Sequence, residues 1–172
     1  MRVLSDDQQT TDELPEITDL QIEILSMDKT IMYIDAVVES VLAALPHDQK
    51  ADSTVRANVE GALRSGKLQA WALTGYVDKD KPEQLLGFTT TLLRIDEFTR
   101  KKYLLIYSVN AYAKISLESW KVMFALVSGW AKDQGVHHIV SYTQNPRMIE
   151  VARAIGGLTG WVELYYEIPS EE

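Results

Sequence analysis

The sequence predicts a single mixed α/β domain with a central, mostly antiparallel sheet flanked by helices. Three observations carry that prediction. The apolar residues switch between a period of two and a period of three to four along the chain, in the order β-α-α-β-β-β-α-β-α-β. The connectors among the middle strands are short and charged. A chain of 172 residues without cysteine must rely on an apolar core, and at 46% hydrophobic residues it has the material for one.

The elements follow in order. Leu20, Ile22 and Ile24 alternate with Gln21 and Glu23, which reads as a half-buried first strand. Asp28 stands at a helix N-cap position, and Ile31, Ile34, Val38, Val41, Leu42 and Leu45 then recur at helical spacing up to Pro46. A second helix begins near Ser53, with Val55, Val59, Ala62 and Leu63 inward and Gly66 as its stop. Three strands follow, at Ala70 to Val77, Leu85 to Ile95 and Tyr103 to Ala111, and their short connectors predict an antiparallel meander. Ser116 caps a long helix whose inner face is Trp120, Met123, Phe124, Val127, Trp130 and Ala131, ended by Gly135. His138 to Tyr142 reads as a buried strand. Asn145-Pro146 opens a helix with Met148, Ile149, Ala152 and Ile155 inward, stopped by Gly156-Gly157. Val162, Leu164, Tyr166 and Ile168 form a last strand.

Charge is unevenly placed. Of the net charge of -8, residues 1 to 28 carry eight acids against Arg2 alone, whereas the remainder is close to neutral. We therefore read residues 1–19 as an acidic, flexible N-terminal arm, a solvated tail with a docking arm that orders on a partner as the alternative, and 20–172 as one domain. A near-neutral body offers no general attraction for duplex nucleic acid or anionic lipid. No stretch of about eighteen apolar residues and no basic-then-apolar start is present, so neither a membrane span nor a signal peptide is expected and the chain reads as cytoplasmic.

Chemistry-bearing clusters are few. His137 and His138 are adjacent and point to opposite faces of a strand, so they do not jointly hold a metal, and no metal site is expected. No histidine is placed to activate Ser108, and Tyr107, Ser108 and Tyr112 read first as walls of a cleft. Trp71, Trp120, Trp130 and Trp161 read as core. Neither a Walker phosphate loop nor a dinucleotide fingerprint occurs.

The element order from residue 20 to 168, the Asn145 to Gly156 helix, and the strand to Ala111 followed by a helix at Ser116 together resemble the GNAT (GCN5-related N-acetyltransferase) superfamily. The resemblance implies two central strands that splay to admit the pantetheine arm of acetyl-CoA. It assigns cofactor contacts to Val109, Asn110, Ala111, Ser116 and Asn145. A base for the incoming amine is sought near the third and fourth strands, where Asp96 and Glu97 are the nearest carboxylates; Glu97 and Ser108 are the catalytic candidates.

Three departures weigh against that chemistry. Where the family places closely spaced glycines, so that backbone N–H groups reach the pyrophosphate, this chain reads from Asn110 to Glu118 without a glycine. Tyr112 and Ile115 add bulk there and Glu118 adds an unfavourable charge, although Lys114 and the amides after Ser116 still attract phosphate. Seven residues after Asn145, where active relatives carry a tyrosine that protonates the departing thiolate, stands Ala152. The run from Gly157 to Val162 is too short for the family's C-terminal hairpin, which curtails the acceptor side. The expectation drawn from these departures is a GNAT-fold protein without bound cofactor that acts by binding another protein, with an acetyl-CoA-dependent N-acyltransferase as the alternative. The run Tyr142 to Arg147 and the glycine-free turn also resemble divergent GNAT-like proteins of tailed bacteriophages. That resemblance implies a virion-associated assembly protein with other phage proteins as partners, located in the host cytoplasm or the virion.

Overall fold

Alternation in the strands sets the layers. In β2 (Leu68–Tyr76), Leu68, Ala70 and Ala72 enter one apolar cluster, while Trp71 and Leu73 enter others on the opposite face. The computed structural model describes residues 18–45, 53–76, 83–143 and 145–157. Within them the remaining strands are β1 (Thr18–Ile24), β3 (Gln84–Ile95), β4 (Lys102–Ala111) and β5 (His138–Ser141). They form a five-stranded sheet in chain order, antiparallel except for β4 and β5, which run parallel. This is the mixed, mostly antiparallel sheet that the sequence predicts.

Helices α1 (Met27–Met32), α2 (Ile34–Ala44) and α3 (Ser53–Arg64) cover one face. Val37, Val38, Val41 and Leu63 pack there on Leu68, Ala70, Ala72 and Phe88. The long helix α4 (Leu117–Asp133) covers the other face, placing Val127 and Ala131 on Trp71 and Leu104, and Met123 on Leu73 and Leu86. Helix α5 (Pro146–Ala154) follows β5.

Three expectations are corrected. The pattern from Asp28 to Leu45 reads as one helix, but the chain breaks at Tyr33, whose φ of -103° and ψ of 13° leave helical geometry and whose ring packs 5.8 Å from that of Phe88. The first helix is capped by Ser26, through a 3.4 Å contact from the Lys29 amide, and not by Asp28. Strand β5 is not buried: His138 and Ser141 are exposed and Ile139 and Val140 half-buried, because β5 is the edge of the sheet among the described residues. The acidic arm up to residue 17, Trp161 and the last strand with its short approach from Gly157 lie outside the described residues. No helix among the described residues is long and apolar enough to cross a membrane.

Candidate functional site

The parallel ladder between β4 and β5 is short. Tyr103 to Ile106 pair with His138 to Ser141, and there the pairing ends. Strand β4 continues beside β3 to Ala111, so from Tyr107 onward its other edge opens into a fork. A bulge stands at the branch point. Thr90 pairs with Ser108 but Thr91 pairs with Ile106, which leaves Tyr107 as the extra residue that bends β4 away from its neighbour.

The ladder also fixes which backbone groups face the fork. The Tyr112 amide donates to the Leu86 carbonyl at 2.7 Å, and hydrogen-bonded pairs alternate along an antiparallel ladder. Asn110 and Ser108 therefore bond across to β3, while the N–H and C=O of Val109 and Ala111 point the other way, into the fork. At the far end of β4, past the bulge that shifts this alternation by one residue, the Lys102 carbonyl faces β5 and accepts from the His137 amide at 3.0 Å.

Gly87 lets β3 and β4 approach closely at the mouth. It pairs with Ala111, and a Cβ built on it stands 2.0 Å from the Asn110 carbonyl oxygen, so no side chain fits.

Both helix N-termini that flank the fork are capped. Ser116 Oγ accepts from the Ser119 amide at 3.1 Å, and Asn145 Oδ1 accepts from the Arg147 amide at 3.0 Å. The amides of Leu117 and Glu118, in the first turn of α4, have no intrahelical acceptor. Glu118 is answered by Lys121, 2.7 Å away. Arg147 spans the two helix starts, its Nη2 donating to the Ile115 carbonyl at 3.0 Å. The turn before α4 thus carries a guanidinium besides Lys114, with further N–H groups beyond the one used.

The expected crowding at this turn is not there. Ile115 is buried with Leu73, Leu86 and Met123, so its side chain belongs to the core and does not stand in the turn. Tyr112 turns its ring edge-on to Phe88 at 6.5 Å, on the α1–α3 side of the sheet.

The remaining candidates separate. Val109 and Ala111 turn their backbone toward the fork, Ser116 and Asn145 cap the helices that begin beside it, and Asn110 bonds across to β3. Ser108 lies beside it but is buried, its hydroxyl 2.7 Å from that of Thr90 and facing the α2 layer with Phe88, so it is a structural partner and not an accessible nucleophile. Glu97 is at the wrong end. It sits in the turn before β4, about 20 Å of strand from Val109, and cannot serve as a base at the fork. Its neighbour Asp96 is committed to that turn, accepting from the Thr99 amide at 2.7 Å, Thr99 Oγ1 at 2.8 Å and the Phe98 amide at 3.2 Å. These bonds hold the Asp96 carboxyl below the ordinary carboxylate value, the Thr99 amide contributing most. Ala152 is half-buried and brings no hydroxyl. His138 stacks on Tyr103, and no group of three metal-ligating side chains forms among the described residues. Sequence reasoning missed Arg147 as a component of the site; its bond to a carbonyl 32 residues away leaves no local signal.

No protein-family model matches the chain, and no curated protein matches it. Solved structures do. One is a probable acetyltransferase at 13% identity and a TM-score of 0.62, covering 88% of this chain and 99% of that one. A second is an aminoglycoside acetyltransferase from an uncultured soil metagenomic sample, in complex with sisomicin, at 12% identity and a TM-score of 0.57, covering 87% and 97%. A third is a predicted acetyltransferase from Clostridium acetobutylicum with acetyl-CoA, at 13% identity and a TM-score of 0.55, covering 85% and 96%. The chain has the fold of these acetyltransferases, the GNAT fold that its element order resembles.

Proposed function

We propose that the chain is an acyl-CoA-dependent N-acyltransferase that uses the β4–β5 fork as the seat of the acyl-pantetheine arm. The observation that carries this reading is the end of the β4–β5 ladder at Ile106 and Ser141, with the backbone of Val109 and Ala111 aimed into the opening. The fit of the cofactor rests on three features: an extended edge for the pantetheine amides, a turn from which Ile115 has withdrawn, and the first-turn amides of α4 with Lys114 and Arg147 beside them for phosphate. Charge supplied by side chains thus compensates for the missing glycines.

When bound, acyl-CoA supplies a thioester whose acyl carbon passes to an amine nitrogen as the carbon–sulfur bond breaks, the displaced amine proton ending on the thiol. The amide N–H of Val109 or Ala111 polarises an acyl oxygen placed in the fork. Proton transfer falls to solvent, since Ala152 supplies no acid and Glu97 is out of reach.

A second reading, a protein-binding role in which catalysis was lost, is favoured by Ala152 and the glycine-free turn. In its finer form it is the assembly protein of a phage virion. Thermal unfolding with acetyl-CoA decides between the two. A ligand at a hundred times its dissociation constant adds about 2.7 kcal/mol, which in a chain of this size raises Tm by roughly 5–10 °C. No shift at millimolar acetyl-CoA or CoA leaves the binding role in possession.

A further inference from the structure

The end of the sheet opposite the fork is the β3–β4 hairpin, and its tip presents an aromatic ring to water. Phe98 is 95% exposed there. Ile95, 55% exposed, shares a face of β3 with the exposed Leu93, so an apolar strip leads up to the ring. The turn that carries Phe98 is fixed by its own hydrogen bonds. The Asp96 amide donates to the Lys101 carbonyl and the Arg100 amide to the Asp96 carbonyl, each at 2.9 Å. The Asp96 carboxylate accepts from the amides of Phe98 and Thr99. The backbone under the ring is therefore ordered before any partner arrives, which suits an anchor residue of an interface.

Charge identifies what the anchor meets. Arg94, Arg100 and Lys101 are exposed at this hairpin and form no ion pair among the described residues. Of the two acids between them, Asp96 is committed to the turn, which leaves Glu97 against three cations. The complementary segment is in the same chain. Residues 1–17 hold Asp6, Asp7, Asp12, Glu13 and Glu16 against Arg2, with Val3, Leu4 and Leu14 among them, whereas the chain beyond residue 28 is close to neutral. That segment joins the sheet at Thr18, which pairs with Tyr76 beside the start of β3. The Phe98 tip lies the whole length of β3 away, about 40 Å. Reaching its own hairpin would use about two-thirds of an extended segment of that length in transit. The hairpin of a second copy is open to all of it.

We infer that residues 1–17 of one copy dock on the Phe98 hairpin of a second, apolar residues of the arm against the ring and its acids against Arg94, Arg100 and Lys101. The exchange is reciprocal, so it closes as a two-fold dimer. It is independent of whether the fork binds CoA.

The test is sedimentation velocity on three full-length variants and the parent chain. One variant reverses the arm (Asp6→Lys, Asp7→Lys, Asp12→Lys), one reverses the hairpin (Arg94→Glu, Arg100→Glu, Lys101→Glu), and the third is Phe98→Ala. The parent is expected to dimerise at low salt and to dissociate as salt rises. Each charge-reversed variant alone is expected to stay monomeric, and an equimolar mixture of the two to dimerise, because every arm then faces a hairpin of opposite charge. Phe98→Ala is expected to weaken the dimer about tenfold or more, with the urea midpoint unchanged because the ring is exposed. A monomeric parent, dimerisation of either reversed variant alone, a mixture that stays monomeric, or a Phe98→Ala dimer of parent strength overturns the inference.

Discussion

Gly87 and Gly61 show how one substitution takes opposite signs in the two settings. At Gly87 an added methyl meets the Asn110 carbonyl oxygen at 2.0 Å, with the Ala111 Cα at 2.9 Å, and strand backbone has no room to yield. Gly87→Ala is expected to destabilise by about 2 kcal/mol or more, seen as a fall in the urea midpoint. At Gly61, inside α3, nothing lies within 4 Å of the added Cβ, so Gly61→Ala is expected to raise stability by roughly 0.5–1 kcal/mol. Asp96 gives a pH-dependent test at the same scale. Its folded pKa lies below the ordinary 3.8, so the stability it contributes is present above that value and is lost as pH falls through the lowered one. Asp96→Asn should therefore lower the urea midpoint at pH 7, and the gap from the parent chain should close in more acidic solution. A gap that persists unchanged at acid pH would show that the carboxylate's charge has no part in the turn.

At the scale of elements, α4 and α5 matter most because both begin at the fork. Ser116→Ala removes an N-cap and is expected to cost about 1 kcal/mol. Arg147→Ala should leave the unfolding midpoint nearly unchanged, because the residue is exposed, yet weaken acetyl-CoA binding several-fold by removing a guanidinium from the turn. Unaltered binding in that variant would remove Arg147 from the site. Elements of this kind were legible wherever their cause is local. The cap at Ser116, the stops at Gly66 and Gly135 with φ near 70°, and the inward face through Met123, Val127 and Ala131 all follow from spacing and residue type. The break at Tyr33 was not legible, because the periodicity runs on through it and the packing on Phe88 that accompanies it is tertiary. The fork was not legible for a similar reason. Whether β5 leaves β4 after Ile106, and whether Tyr107 bulges, depends on pairing register between segments distant in sequence. The direction of Ile115 was misjudged on the same ground, since a bulky residue in a turn crowds it only when its side chain is not drawn into a core.

For the whole molecule, helical layers on the two faces of the sheet leave openings at one end of it. The fork lies between β4 and β5 where their helices begin, and a cleft by α1 is lined by the end of β2 and the start of β3. Glu97, by contrast, is held at the opposite end, so carboxylate chemistry at the fork has no source in that turn. Hydrogen–deuterium exchange over residues 107–119, with and without CoA, tests the central claim most directly. The account predicts slower exchange at the amides of Val109, Ala111, Leu117 and Glu118 when CoA is present, and exchange there that is identical in both conditions would contradict it.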